Sequence, residues 1–561
     1  MWYDVVMIKE EIKNLLSVDE HAIEENQISS RIMTNLDDFI LQSSVSETSI
    51  TAEVFNIYKK FVAMKQDAPE GMKNELFVAM RNYIKERASV GAYLDALFMY
   101  RFLLVKSKLS SASYHEIAEI LTNLGQYELG LDFIKLYEQF ETNKPLRLLT
   151  MANFYNLHMK DYRTAIKYYE QYLKIDETKA VVYTIVASLY AKEYGELSLK
   201  DQIYYFEKAY KLKPKDRLVL HGLAFGYEKY GDKIKANRFY QELLEVEPTA
   251  TDYYNYGAFL ISCGEFELGH KYFAKRFETS DVNLKYPMDY DIENKWDFKS
   301  DISDKTLLVH YEQGFGDTFM YCRFVPMLKG IAKKIVFVVQ DEVYDLIKGS
   351  KLMTGIKLLS SKEDLSKVKY DVHMALLDAP FVLKTRPNTI PNSEGYLKVS
   401  SAKVKEYGKQ YIKPTKKIKV GVAYQGDKAA NYNGRDIDFT RFNRVFALEG
   451  FEFYSLTKEV VESDKVVALG ETFKDFTDTA CAIKNMDIVI STDNVILNLA
   501  GALGVKSYGL FNKHPNFRWY QLQGENVGWY ESVKAIQVEE NNCWTTVFSE
   551  LINILCEYRN R

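Results

Sequence analysis

A helical-repeat half followed by a half that alternates strands and helices is the fold class this 561-residue sequence predicts. Three observations carry that reading. Pro214 and Pro248 lie 34 residues apart and bracket a segment whose small and aromatic residues recur in its neighbours. Beyond "KYPMDYDIENKWDFKSDISDK", short apolar strands separated by helical patterns replace the helix pairs. The proline-bearing basic stretch "YIKPTKKIK", from Tyr411 to Lys419, reads as a linker dividing this second half in two.

The totals bound the answer. The chain is too long for one core, so three or four domains are expected. Hydrophobic residues make up 47%, which argues against global disorder, and the formal charge of −4 does not point to nucleic acid as a partner. No apolar run approaches a bilayer span, and "MWYDVVMIKEEIKNLL" does not read as a secretion signal. The five cysteines (Cys263, Cys322, Cys481, Cys543, Cys556) are scattered, without CxxC zinc spacing or a disulfide framework. The expectation is a reduced, cytoplasmic protein with no membrane span.

In the first half, the unit from Arg217 carries Ala224, Tyr227, Ala236 and Tyr240 before Pro248. The next begins with Tyr254, Gly257 and Ala258, and the preceding one holds Ala187, Tyr190, Phe206 and Ala209 with about three extra residues around "EYGELS". "DYRTAIKYYEQYLKID" reads as a second helix of such a pair, and weaker units surround "LTNLGQYELGLDFI" and "GAYLDALFMYRFLL". Small residues let paired helices approach, and aromatics fill the gaps. The pattern resembles the tetratricopeptide repeat (TPR), whose solenoids present a concave surface to a peptide or protein. A rigid spacer or dimerisation arm is the plainer alternative.

In the second half, strands are expected at Thr306–Tyr311, Lys334–Val339 and Lys369–Met374, then at "KVGVAY", "FEFYSL", "MDIVIS" and "KSYGLF". This alternation implies parallel sheets covered by helices, with ligands at the carboxyl ends of strands. Three loops at such ends carry chemistry. The turn "QGFGD" places Gly314 and Gly316 beside Asp317, where glycine permits a tight turn and close approach, before a helix expected over Thr318–Leu328. "DKAANYNGRDIDF" holds Lys428 and Arg435, and Arg435 suits bidentate contact with a diphosphate. "STDNVILNLAGALG" runs from Asp493 into an apolar helix whose free N–H groups would face an anion. Asp317 and Asp493 both also stand where a helix N-cap is wanted, and a lone arginine such as Arg435 is often a solvated loop charge. There is no GxGxxG and no P-loop lysine pattern.

From Trp296 to about Gln537 the chain resembles the bacterial TPR-linked glycosyltransferases of the family nine, heptosyltransferase-like type. The matching text runs in order through "KWDFKSDISDKTLLVHYEQGFGDTFMYCRFVPML", "YDVHMALLDAPFVL", "TIPNSEGYLKV", "VGVAYQG", "DFTDTACAIKNMDIVISTDNVILNLAGALG" and "HPNFRWYQLQGENVGWYESVKAIQV". The resemblance implies an α-helical TPR solenoid followed by an α/β GT-B module of two Rossmann-like domains with parallel sheets. It implies metal-independent transfer from a nucleotide-diphosphate sugar, the donor substrate, with no cofactor. The acceptor would be a protein such as a surface or flagellar subunit, or a glycan, recruited by the repeats. The pairs Asp289-Tyr290-Asp291 and Asp436-Ile437-Asp438 echo a metal-binding DxD, and are read as solvated loop acids.

Carried over by residue, Asp317 falls on the acid of the Gly-Asp turn, the general base for the acceptor. Arg435, Asp493 and Lys458 fall on donor-side positions. Asn494 and Asn498 stand where the family has threonine and histidine, and Asp436 where it has serine, so altered donor preference is one implication and a non-catalytic scaffold with a degenerate fold is the other. The expected organisation is an N-terminal helical segment (1–87), repeats (88–280), an acceptor-side domain (281–412) and a donor domain (413–561).

Overall fold

The computed structural model describes residues 28–43, 70–106, 109–279, 294–426, 435–458, 463–520, 527–539 and 543–560. Compactness divides the chain into two units, Met1–Gly226 and Tyr227–Arg561. The boundary at 280/281 expected from sequence pattern therefore lies inside the second unit.

The first unit is a TPR-like array of helix pairs. Ser111–Asn123 pairs with Tyr127–Phe140, Lys144–Phe154 with Tyr162–Leu173, and Ala180–Tyr194 with Leu199–Leu212. Helix starts are set by side-chain caps: Asn143 accepts from the Leu146 N–H at 3.2 Å, and Asp161 from Thr164 N–H at 3.0 Å. The extra residues around "EYGELS" form a short 3₁₀ turn, Gly195–Ser198, entered through the left-handed Gly195 (φ 55°). Tyr190 and Tyr205 both donate to Glu170 Oε1 at 2.8 Å, tying three successive helices together. Ala187 and Ala209 are fully buried where the helices meet.

The second unit starts within helix Arg217–Tyr230 and contains helices Lys233–Leu244, Ala250–Ser262 and Phe266–Phe273. The last two cross so closely that a Cβ on Gly257 would stand 2.5 Å from the Phe273 backbone nitrogen. Two parallel sheets follow. The first has strands β1 Thr306–His310, β2 Lys334–Val339, β3 Lys357–Ser360 and β4 Val372–Ala375 in the order β3-β2-β1-β4. The second has β5 Ile418–Ala423, β6 Phe451–Ser455, β7 Val466–Ala468, β8 Ile488–Thr492, β9 Ser507–Phe511 and β10 Val533–Gln537, ordered β10-β9-β8-β5-β6-β7. Among the described residues every strand pair is parallel. Read from β7, the second order is that of the Rossmann fold, with its reversal between β5 and β8. The first sheet has the matching half-order, reversing between β1 and β4.

The helix expected over Thr318–Leu328 differs. It begins at Phe315, ends at Tyr321, and continues as a tighter 3₁₀ segment, Cys322–Gly330. Pro326 inside that segment lacks the N–H an α-helix needs. Arg323, from the same segment, is fully buried and straps the two sheets together. It donates to Trp529 O at 2.8 Å and to the Tyr396 hydroxyl at 3.0 Å. Tyr396 and Leu397 in turn donate backbone N–H groups to Ala502 O.

Candidate functional site

Two loops leave the reversal point of the second sheet. After β5 the chain reaches Gly426, and after β8 it reaches Asp493 and Asn494. The loops are joined directly: Asn494 Nδ2 donates to Gln425 O at 3.0 Å. Arg435 returns over this point, its Nη1 donating to Asp493 O at 3.4 Å. The guanidinium lies close over the Gly426 backbone, where a Cβ would stand 2.7 Å from one of its nitrogens.

Facing these loops is the turn after β1. Asp317 is not the N-cap of its helix, which is Gly314; it is the third residue inside the helix and its carboxylate accepts from the Gly314 N–H at 3.1 Å. It also pairs with Arg518, whose Nε lies 2.5 Å from Asp317 Oδ1. Arg518 donates further to Asn516 Oδ1 at 2.8 Å and to the side-chain oxygen of Gln313. Burial pushes the Asp317 carboxyl above the usual aspartate range, and Arg518 and Arg435 oppose that push. Burial likewise raises Asp493, against a hydrogen bond from Trp519 and the fields of Arg435 and Arg518. A 2.5 Å pair beside a raised carboxyl is no contradiction, since removing both ions from water costs more than one contact returns. Two carboxyl groups and two guanidiniums thus converge here, joined by the Arg518–Asp317 ion pair and by the Arg435 contact with the Asp493 backbone oxygen.

Several expected roles change. Gly316 clears space for a side chain of the opposite sheet's helix, since a Cβ there would lie 3.1 Å from Asn498 Nδ2. Gly314 has an ordinary extended conformation (φ −82°); the left-handed residue of the turn is Gln313 (φ 57°). Asp493 is not the cap of the following helix, Val495–Ala502: Asn494 is, accepting from Ile496 and Leu497 N–H groups at 2.8 and 3.3 Å. Those N–H groups are therefore already engaged and do not face an anion. Asn498 donates to Asn494 O and accepts from the Tyr530 hydroxyl, each at 3.1 Å. Lys458 is exposed in the loop after β6 and shares no hydrogen bond or ion pair with the cluster. Asp436 and Asp438 serve as turn acceptors, for Gly426 N–H and Thr440 N–H. Lys428 and Asp289-Tyr290-Asp291 lie outside the described residues.

Sequence reasoning missed Arg518, Asn516 and His514, all within "KHPNFRWYQ". Arg435, Asp493, Asn512, His514 and Asn516 line a recess at the carboxyl ends of β8 and β9. Its free volume is about 10 Å³, room for one water. His514 is neutral at pH 7, burial and then Lys229 and Lys513 bringing it down to about 4. Among the described residues no group of three His, Cys, Asp or Glu side chains is placed to hold a metal ion, and no helix is long and apolar enough to cross a membrane.

The fold and site thus define a protein of TPR-like helix pairs joined to two Rossmann-like parallel sheets. Its sequence is 22% identical over 285 residues to Protein FlbA of Caulobacter vibrioides, covering 46% of this chain and 47% of FlbA. The chain thus spans about half the length of that curated relative. Among solved structures it is similar to MamA from Desulfovibrio magneticus RS-1, at 18% identity over 30% of this chain and 93% of that one (TM-score 0.27). It is also similar to the C-terminal part of a TPR repeat-containing protein from Cytophaga hutchinsonii, at 20% identity over 35% and 78% (TM-score 0.31). No protein-family model matches.

Proposed function

We propose that this chain is a metal-independent glycosyltransferase that moves a sugar from a nucleotide-diphosphate sugar to a protein acceptor recruited by its helix pairs. The observation that carries the reading is the convergence of Arg435, Arg518, Asp493 and Asp317 at the carboxyl end of a Rossmann-order sheet, where such folds bind nucleotides. Asp317 takes the proton of the acceptor hydroxyl, the hydroxyl oxygen bonds to the anomeric carbon, and the bond from that carbon to the diphosphate oxygen breaks. Arg435 and Arg518 stabilise the departing nucleoside diphosphate. Because Arg518 is paired with Asp317, a diphosphate that reaches Arg518 replaces the carboxylate as its partner and frees Asp317 to act as the base.

A non-catalytic TPR scaffold is the second reading, favoured by the engagement of Asp317, Asn494 and Asn498 in contacts within the protein. A thermal-shift screen of nucleoside diphosphates and their sugars, followed by assay of diphosphate release, separates the two. A ligand at 100 times its dissociation constant raises stability by about 2.7 kcal/mol. Binding with slow release supports the enzyme, binding without release supports the scaffold, and no binding by any nucleotide removes both nucleotide roles.

A further inference from the structure

The crevice at the reversal point of the first sheet is filled by the protein itself. Arg276, in the 3₁₀ turn Ala274–Glu278 that ends the last helix pair, is fully buried there. It grips Glu312 with two bonds, Nε to Oε2 at 2.8 Å and Nη2 to Oε1 at 2.5 Å. Its Nη1 reaches Asp378 Oδ1 at 2.6 Å. Glu312 lies two residues beyond β1 and Asp378 follows β4, so the guanidinium joins the two loops between which a ligand would otherwise enter. Glu312 Oε1 also accepts from Leu377 N–H at 3.0 Å.

Glu312 directly precedes the turn that carries Asp317. The next residue, Gln313, holds a left-handed conformation uncommon for a side chain of its kind, which persists only where neighbours fix it. Its flanks are fixed on one side by the Arg276–Glu312 fork and on the other by the bond from Arg518 to its side chain. From this we infer that Arg276 is a positioning residue: through Glu312 it sets the Gln313–Asp317 turn, and so the proposed base, from the end of the repeat array. This rests on the glycosyltransferase reading for its catalytic consequence but not for its structural one.

Two isosteric variants of the full chain test it. Glu312→Gln and Asp378→Asn each remove one carboxylate from the same buried arginine, but only Glu312 adjoins the turn. Hydrogen exchange of the Gly314, Asp317 and Thr318 amides is read beside melting temperature and donor turnover. Both variants are expected to melt earlier, but only Glu312→Gln should speed those amides, by about tenfold or more. Only that variant should lower turnover by about tenfold or more, with the donor KM within about threefold, as expected for a displaced base. If Glu312→Gln does not fold, Arg276→Lys, which keeps the charge and loses the fork, is read in the same way against Asp378→Asn. Equal exchange in the two variants overturns the inference. An exchange difference in a protein without turnover leaves the positioning standing and removes the enzyme.

Discussion

Asp317→Asn separates the three roles that meet in one side chain. Asparagine keeps an oxygen to accept from Gly314 N–H, so the helix start survives. It loses the charge facing Arg518, an ion pair that solvent still partly reaches and that is worth up to about 1 kcal/mol. Against that loss stands the relief of a buried carboxylate, and the upward shift of Asp317 shows that burial is the larger of the two. The net effect on stability should stay within about 1.5 kcal/mol. For a second unit of 335 residues, with an unfolding entropy of about 0.7 kcal/mol per kelvin, that is about 2 °C. The sign against pH follows from the same shift. An aspartate raised in the folded state binds more protons there than when unfolded, so wild-type stability falls as pH climbs from about 3.9 through the raised value. The asparagine variant lacks this fall, and its melting temperature should gain on wild type across that window. Turnover, measured as nucleoside diphosphate release, should drop by about 10²–10⁴ through loss of the base. Turnover within a few-fold of wild type would leave Asp317 as a helix-start acceptor and ion-pair partner. A melting deficit that widens as pH rises would show that the pair with Arg518 outweighs burial.

Arg435→Ala should weaken nucleoside diphosphate binding by about 1.5–3 kcal/mol while leaving the phosphate-free nucleoside nearly unchanged, as read by calorimetry. Gly257→Ala presses a methyl group on the Phe273 backbone, and should cost about 1–3 kcal/mol in urea unfolding; an unchanged midpoint would deny the tight helix crossing. A fragment starting at residue 281 loses Arg276 and leaves Glu312 and Asp378 buried without their cation, so it should not fold, whereas one starting at Arg217 should. A cooperative thermal transition in the shorter fragment would refute this.

Much of the architecture is legible in the sequence because its signals are local. Val-, Ile- and Leu-rich runs such as "KIVFVV" and "MDIVIS" can only be satisfied between two layers, and they appear as β2 and β8. Strands β3 and β7, four and three residues long, are too short to show a period, and β10 alternates Lys534 with buried neighbours inside a loop-rich stretch. The turn after β1 is legible as a turn, yet the purpose of Gly316 is not, because the atom it avoids belongs to Asn498, far along the chain. The cap after β8 is displaced by one residue from Asp493 to Asn494, a distinction that depends on which backbone leaves β8 with extended geometry. Arg518 and Arg276 have no local pattern at all. Each takes its meaning from carboxylates brought beside it by the fold.

The two sheets begin with the same strand order, and each therefore builds a crevice of the same type. They differ in their lining: the first is stoppered by an arginine from the chain's own repeats, with both of its acids consumed. The second keeps Arg435 and Asp493 lining a recess. Sharing a strand order therefore does not give the chain two equivalent sites. A nucleotide titration should saturate at one equivalent per chain, and the site it fills should be the one whose charges were not spent on joining the repeats to the sheet.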